Sequence, residues 1–326
     1  RRENLKKTFL SKMNITILGG GSWGTALAVH LSKRGYSLRI WEFFSEQADK
    51  MQIERVSPLL PNIELSSNIF VSSNMQECLK DSNLVLVVVP SDKVESTIEN
   101  ASQYLLNQDI VICSKGFASN LRLLSDAVAE KVDGDVYCLY GPTHAEEVGK
   151  GIHSGIVLAG KEKNEKLCAV LSSDSFKVHA SDDLAGVQIC SALKNVLAIF
   201  IGVLDGKRLG DNTKAYVMTK GLAEIKQIGL QWGAKEETFH GLAGMGDVIV
   251  TCTSKHSRNR HVGQQLGEGK SLNSVIAEMN MVAEGVTAVK NALKLKERFG
   301  LDLPLISGIH GIMFNGLDVD EVLRNI

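Results

Sequence analysis

The stretch Ile15-Thr16-Ile17-Leu18-Gly19-Gly20-Gly21-Ser22-Trp23-Gly24-Thr25-Ala26-Leu27-Ala28 carries most of what this chain says about its fold. Four apolar or β-branched residues read as a short strand. Three glycines then read as a tight turn, and Ser22 opens a helix rich in small residues. Gly19, Gly21 and Gly24 fit G-x-G-x-x-G. In that pattern the first glycine permits the turn, the second lets backbone approach a pyrophosphate, and the third lets helix pack on strand. The helix N-terminus points N–H groups at an anion. The other reading is an ordinary glycine-rich βα turn, but a strand before and a helix after are the context the motif demands, so a dinucleotide site is expected.

Downstream, residues 37–41 read as a second strand, 68–72 as a third, and 84–89, stopped by Pro90, as a fourth. The fourth is apolar on both faces, as in parallel sheets covered by helices on each side. Residues 109–113, 136–139, 155–159 and 176–179 continue the series, with helical patterns at 94–106, 121–131 and 164–171. This alternation predicts an α/β fold with an N-terminal doubly wound, Rossmann-type parallel sheet. From about Leu184 long helical patterns follow one another without a strand series. We therefore expect a dinucleotide-binding domain over 13–182 and a helical substrate domain over 183–326, with Asp182-Asp183 as the N-cap pair of a long helix reaching towards Ile201. No Pro-rich or low-complexity linker intervenes, so close packing is expected, with ligands bound outside the carboxyl ends of the strands.

Bulk properties exclude several classes. The chain has 326 residues, comfortable for two domains, and 36 basic against 37 acidic residues, a formal net charge of −1. Nothing there advertises a nucleic-acid or membrane partner, so local groups must hold any anionic ligand. Six cysteines lie far from C-x-x-C spacing, mostly in apolar runs, and read as reduced and structural, hence a cytoplasmic location. No run approaches the roughly 20 uninterrupted apolar residues that span a bilayer, and residues 1–12 lack the apolar core of a signal peptide. The chain is expected to be soluble. Met13 stands just before the first strand, and residues 1–12 are assigned no role in the fold.

Several residues could carry chemistry. Lys194-Asn195 sits in a helix apolar nearly all round, where a lysine is costly unless paired or facing a cavity; the plainer reading is a side chain that snorkels to solvent. Gly241-Leu242-Ala243-Gly244-Met245-Gly246-Asp247 packs three glycines into six positions, which argues for close backbone approach, and by pattern alone Asp247 reads as a cap for the next segment. Ser257-Arg258-Asn259-Arg260 gathers a hydroxyl, an amide and two guanidinium groups, which suits a phosphate or a solvated basic turn. Lys115 and Gly141-Pro142-Thr143-His144-Ala145 each follow a strand, at the end where this fold does chemistry. No His/Cys spacing suits a metal, so none is expected.

Together these segments closely resemble the soluble bacterial NAD(P)-dependent glycerol-3-phosphate dehydrogenases, in order, over residues 14 to about 315. The resemblance rests on the glycine stretch above, Val87-Val88-Val89-Pro90-Ser91, Ser114-Lys115-Gly116, Gly141-Pro142-Thr143-x-Ala145 and Gly186-Val187-Gln188. It continues through Leu193-Lys194-Asn195-Val196, the Gly241–Asp247 loop, Thr251-Cys252-Thr253, Ser257-Arg258-Asn259-Arg260 and Val282-x-Glu284-Gly285. It implies reversible hydride transfer between sn-glycerol 3-phosphate and dihydroxyacetone phosphate, with NAD(H) or NADP(H), feeding phospholipid biosynthesis. It also implies a helical second domain like the C-terminal domain of 6-phosphogluconate dehydrogenase, and a homodimer. By the same resemblance Lys194 is the proton acceptor, Lys115 a second cation touching substrate and cofactor, and Asp247 a substrate-contacting carboxylate that orients Lys194 by an ion pair. Gly141, Thr143, Ser257, Arg258 and Asn259 then hold the glycerol phosphate, Arg258 also touching the cofactor. The cofactor side comprises Gly19, Gly21, Ser22, Trp23, Gly24, Ala145, Val282 and Glu284, with Glu42 and Phe43 beyond the second strand.

One departure bears on cofactor choice. The chain has Trp41-Glu42-Phe43-Phe44 where relatives that use NADPH commonly carry a basic or polar group. Glu42 lies 18 positions past Gly24, near the roughly 20 at which an acid binds the ribose 2′-hydroxyl of NAD. A carboxylate there repels a 2′-phosphate, so NADH should be used at least as well as NADPH, unless Arg39 or another basic group compensates. Two other readings were weighed: a 3-hydroxyacid or 6-phosphogluconate-type dehydrogenase, against which the 257–260 cluster argues, and a non-catalytic nicotinamide-binding sensor, which would have no reason to keep Lys115, Lys194 and Asp247 together.

Overall fold

A computed structural model describes residues 13–255, 257–278 and 284–326. Val282 and residues 1–12, for which the sequence raised expectations, lie outside the described residues. The chain divides into two compact units, one ending at Leu184 and the other beginning at Ala185.

The N-terminal unit holds one eight-stranded sheet: β1 (Asn14–Leu18), β2 (Ser37–Trp41), β3 (Ile69–Ser72), β4 (Leu84–Val87), β5 (Asp109–Ile112), β6 (Val136–Tyr140), β7 (Ser154–Ala159) and β8 (Phe176–Ser181). Their spatial order is β8-β7-β6-β5-β4-β1-β2-β3. Ile15 of β1 is in register with Leu38 of β2 on one side and Leu84 of β4 on the other. The winding therefore reverses beside β1, which opens a crevice at the carboxyl ends of β1 and β4. Leu84 to Val87 and Ile110 to Ile112 are all buried, which explains why these strands read as continuous apolar runs rather than alternating ones. The helix α1 (Ser22–Ser32) connects β1 to β2 and is buried from Gly24 onward.

The sheet is parallel through β6, but β7 pairs with β6 antiparallel, Cys138 opposite Ala159, and β8 is parallel to β7. The last two strands thus run against the other six, a departure from the wholly parallel sheet expected. The link from β6 to β7 contains only a six-residue helix, Ala145–Lys150. The chain turns back here and lays β7 along β6. A small antiparallel pair, Val56–Ser57 with Leu60–Glu64, and the helix Ser45–Glu54 were not anticipated.

His30 of α1 is 6% exposed; its Nε2 lies 2.8 Å from the Leu171 carbonyl oxygen and its ring packs on Phe176. A carbonyl can only accept, so Nε2 carries the proton and donates. Burial holds the imidazole below its ordinary value of 6.5. Above that value both folded and unfolded chains carry a neutral ring. As pH falls through it, the unfolded chain binds the proton first, and stability drops until the folded-state value is reached. We expect the unfolding free energy of the wild type to fall between pH 7.5 and 5.5 by more than that of His30→Leu; equal pH slopes for the two would overturn this assignment.

The described part of the C-terminal unit is helical throughout: α2 (Leu184–Gly206), α3 (Asp211–Leu230), α4 (Asp247–Thr253), α5 (Arg258–Gly267), α6 (Glu284–Phe299) and α7 (Pro304–Asn315), with shorter helices between. α2 is long and apolar enough to cross a membrane, with a window of mean hydropathy 1.9, yet that window is wholly buried within the protein. It packs against α5 backbone to backbone. A Cβ on Gly202 would lie 2.0 Å from the Arg260 carbonyl oxygen, and one on Gly263 would lie 1.8 Å from that of Ile199. Gly206 and Gly267 repeat the contact one turn on. Backbones approach this closely only where no side chain intervenes. Elsewhere the buried Glu224 of α3 accepts hydrogen bonds from the N–H groups of Leu305 and Ile306, at 2.7 and 2.8 Å, and so caps α7. Burial pushes its carboxyl group up.

Candidate active site

The glycine turn is shaped by contacts that no side chain could share. Gly19 has φ +121°, and a Cβ there would lie 2.6 Å from the Val88 carbonyl oxygen; its N–H donates to the Trp41 carbonyl at 2.9 Å. A Cβ on Gly24 would come within 2.0 Å of the Gly19 carbonyl, whereas one on Gly21 would meet nothing within 4 Å. The first and third glycines therefore serve the fold, and the second faces open space at the start of α1, which no side chain caps. That is a cradle for a pyrophosphate, as its chemistry requires. Ser22 and Trp23 are half-buried at its edge, and Trp23 and Ala145 both pack against the core of this unit.

Glu42 stands beside this turn, 6% exposed. Its Oε1 accepts from the Phe44 N–H at 3.1 Å, and its Oε2 would lie 2.5 Å from a Cβ on Gly20. A Cβ at position 20, the variable position of the fingerprint, would push that carboxylate oxygen aside. Phe43 is 69% exposed and meets Trp41 and Phe44 edge-on. Arg39, the expected compensating base, is committed elsewhere: its Nη1 donates to the carbonyls of Glu77 and Lys80.

Lys115 follows β5 and is half-buried. The adjoining backbone is pinned on both sides. The Ser114 hydroxyl donates to the Val87 carbonyl at 3.3 Å, and the Tyr140 hydroxyl of β6 donates to the Ser114 carbonyl. Gly141 lies at the end of β6 with φ +158°, tight against Ile156, and the half-buried Thr143 turns its hydroxyl onto the Gly141 carbonyl at 3.3 Å. Lys115, Gly141 and Thr143 therefore stand at the carboxyl ends of adjacent strands of the N-terminal unit.

In the C-terminal unit Lys194, 4% exposed, donates to Oδ1 of Asp247, which is wholly buried. The lysine does not snorkel, and the carboxylate is not an N-cap: Gly246 occupies that position, and the Asp247 side chain goes to the lysine. A π-helical turn over Leu242–Gly246, in which the Gly246 N–H donates to the Gly241 carbonyl at 3.1 Å, sets Asp247 at the head of α4. A Cβ on Gly244 would lie 2.2 Å from the Phe239 carbonyl, so the glycine loop serves this tight passage. Such widened turns recur at functional sites.

The 257–260 cluster opens α5. Ser257 is buried and caps the helix, accepting from the Arg260 N–H at 3.3 Å. Arg258 is exposed. Asn259 Oδ1 accepts from the Gly285 N–H at 2.9 Å, which orients the amide and leaves Nδ2 as its donor. Glu284 is the exposed first residue of α6. Arg260, grouped with its neighbours by sequence, turns instead to Asp205 at 2.6 Å. α5 crosses α2 where Ile199 meets Gly263 and Gly202 meets Arg260 and Gln264, five and eight residues past Lys194, or about 7.5 and 12 Å along α2 at 1.5 Å per residue.

Sequence reasoning missed Asp205, the helix-crossing glycines and the constraint on Gly20. The repeated spacing Gly202-x-x-x-Gly206 and Gly263-x-x-x-Gly267 was a readable signal for the crossing. All six cysteines are free and buried. Burial pushes the thiols of Cys78 and Cys252 up to about 12 and that of Cys168 up to about 11, so these three are not nucleophiles at neutral pH. Among the described residues no group of three or more His, Cys, Asp or Glu could hold a metal ion.

A glycine cradle at the switch point of a doubly wound sheet, followed by a helical unit with a buried Lys–Asp pair, defines a nicotinamide-dependent dehydrogenase. The N-terminal family profile of the NAD-dependent glycerol-3-phosphate dehydrogenases matches residues 14–166, and the C-terminal profile matches residues 183–324. The chain belongs to this family. It is 38% identical to the glycerol-3-phosphate dehydrogenase [NAD(P)+] of Fusobacterium nucleatum, over 96% of each chain. It is 39% identical to that of Bacillus anthracis, over 96% of this chain and 94% of the other. The crystal structure of the Coxiella burnetii glycerol-3-phosphate dehydrogenase superposes with a TM-score of 0.91 at 33% identity, covering 97% of this chain and 98% of that one.

Proposed function

We propose that this enzyme interconverts dihydroxyacetone phosphate and sn-glycerol 3-phosphate, with NADH preferred over NADPH, and supplies glycerol 3-phosphate for phospholipid synthesis in the cytoplasm. The observation that carries this reading is the pairing of two groups within the helical unit. A buried proton-transfer pair, Lys194 with Asp247, and an Arg–Asn cluster at the start of α5, the helix that crosses α2 past Lys194, suit a three-carbon chain with a ketone on its central carbon and a phosphate at one end.

The nicotinamide, when bound, supplies and accepts the hydride; Gly19, Gly21 and Gly24 with the start of α1 would hold its pyrophosphate, and Glu42 its ribose. In the reducing direction Lys194 begins as the ammonium that Asp247 holds, and gives its proton to the oxygen that becomes the secondary alcohol. In the reverse direction the neutral amine takes that proton back. Asp247 orients the lysine and balances its charge where both side chains are buried. Arg258 and the Nδ2 of Asn259 donate to the phosphate, with Ser257 behind them as the cap that shapes the turn. Lys115, Gly141 and Thr143 are assigned to substrate contact by the family resemblance. Trp23, Phe43, Ala145 and Glu284 serve the cofactor side. We further propose a homodimer with no nucleic-acid or membrane partner.

The test is the initial rate of NADH and, separately, NADPH oxidation with dihydroxyacetone phosphate. Because Glu42 is fixed beside the glycine turn and Arg39 is committed to two carbonyls, NADH should be favoured at least about ten-fold in kcat/KM, or about 1.4 kcal/mol. Glu42→Ser should narrow that ratio. A wild type that prefers NADPH would refute the assignment of Glu42, and cofactor binding without turnover on this ketone would refute the substrate.

A further inference from the structure

Arg260 sits beside two residues assigned to the substrate phosphate, and its sequence neighbours suggest a third phosphate ligand. Its hydrogen bonds say otherwise. Nε donates to Asp205 Oδ2 at 2.6 Å, while Nη1 donates to the carbonyls of Thr253 and Ser254 at 3.1 and 3.3 Å. Those carbonyls belong to the last turn of α4, which begins at Asp247, and to the residue after it. Asp205 lies in the last turn of α2, which carries Lys194. The other oxygen of Asp205 accepts from Lys214 at 3.2 Å, and Lys214 also pairs with Asp211 at 2.7 Å. Two cations and two carboxylates therefore balance, and the Nε and Nη1 of the guanidinium are engaged within the protein.

We infer that Arg260, gripped by Asp205, is a positioning residue that ties the end of α4 and the end of α2 to the start of α5, and so sets where Arg258 and Asn259 meet the phosphate. The inference rests on the reading that Arg258 and Asn259 bind that phosphate. A planar guanidinium can serve a carboxylate and two carbonyls at once; an ammonium cannot reproduce that fork. The backbone carbonyl of Arg260 also lies against Gly202, so any tilt of this residue displaces the crossing itself.

The two roles predict opposite signs. If Arg260 were a phosphate ligand restrained by Asp205, Asp205→Asn would release it and tighten phosphate binding. As a positioning residue it loses its anchor, and binding weakens. We expect Asp205→Asn and Arg260→Lys each to raise KM for dihydroxyacetone phosphate, and the inhibition constant of inorganic phosphate, by about ten- to a hundred-fold, since displacement by an ångström costs that much. Their kcat should stay within about three-fold and KM for NADH should not change, which a general loss of folding would not produce. Tighter phosphate binding in Asp205→Asn, or a fall in kcat with phosphate inhibition unchanged, would overturn the inference. Arg258→Ala is the control for the underlying reading. If it leaves both constants unaltered, the phosphate site itself is misassigned; if it raises both while Asp205→Asn does not, only the positioning role fails.

Discussion

Lys194→Met should lower kcat/KM for dihydroxyacetone phosphate by about 10²- to 10⁴-fold, the range that one positioned proton-transfer group contributes, and leave the NADH dissociation constant almost unchanged. The substitution roughly preserves the volume of a side chain that is 4% exposed. It also leaves Asp247, wholly buried, without the ammonium that its Oδ1 accepts from. An uncompensated buried charge costs about 3–5 kcal/mol, so the variant should also unfold earlier. Lys194→Met combined with Asp247→Asn should recover much of that stability and none of the turnover. Steady-state rates, NADH fluorescence titration and thermal unfolding on the three proteins check this together. A double variant that regains activity would remove Lys194 from the chemistry, and a single variant as stable as the wild type would deny the buried pair.

Gly263→Ala tests the architecture that brings the two ends of the substrate site together. The added methyl would lie 1.8 Å from the Ile199 carbonyl oxygen, with the Gly202 Cα at 2.9 Å. Backbone cannot give way as the tip of a flexible side chain can, so α2 and α5 must separate. Overpacking of a tight interior costs about 1–3 kcal/mol and sometimes more; with backbone on both sides we expect the upper end, about 3 kcal/mol. Because the start of α5 carries Arg258 and Asn259, KM for dihydroxyacetone phosphate should rise with it. Gly269→Ala is the control for glycine content: Gly269 has φ +96° but nothing within 4 Å of its added Cβ, so it should strain the backbone locally without moving the helices or KM. Unchanged stability and KM in Gly263→Ala would mean that the crossing is looser than its geometry states.

Much of the site was legible because each half rests on short-range pattern. The fingerprint glycines could be read since strand, turn and helix are contiguous, and Glu42 since a fixed offset follows from one βαβ unit. Lys194 stood out as a charge in an otherwise apolar helix. Asp247 was ambiguous for a physical reason: an acid at the head of a helix is by local pattern a cap, and only the π-helical turn before it frees its carboxylate for a partner 53 residues away. The reversal of β7 was hidden because a short apolar run reads the same in either direction, and its direction is settled only by the strand it pairs with.

The sequence by itself determined the order of a Rossmann-type α/β unit and a helical unit, the glycine turn at the switch point, and the candidate residues for the site. These follow from periodicity and from glycines at set offsets, which act within a few residues along the chain. Tertiary structure alone decided that Arg260 goes to Asp205 while Arg258 faces outward, that Arg39 is unavailable to a cofactor phosphate, and that four glycines let α2 and α5 touch. Each is a choice among chemically equivalent groups, and that choice is made by which backbone lies within reach once distant elements have packed.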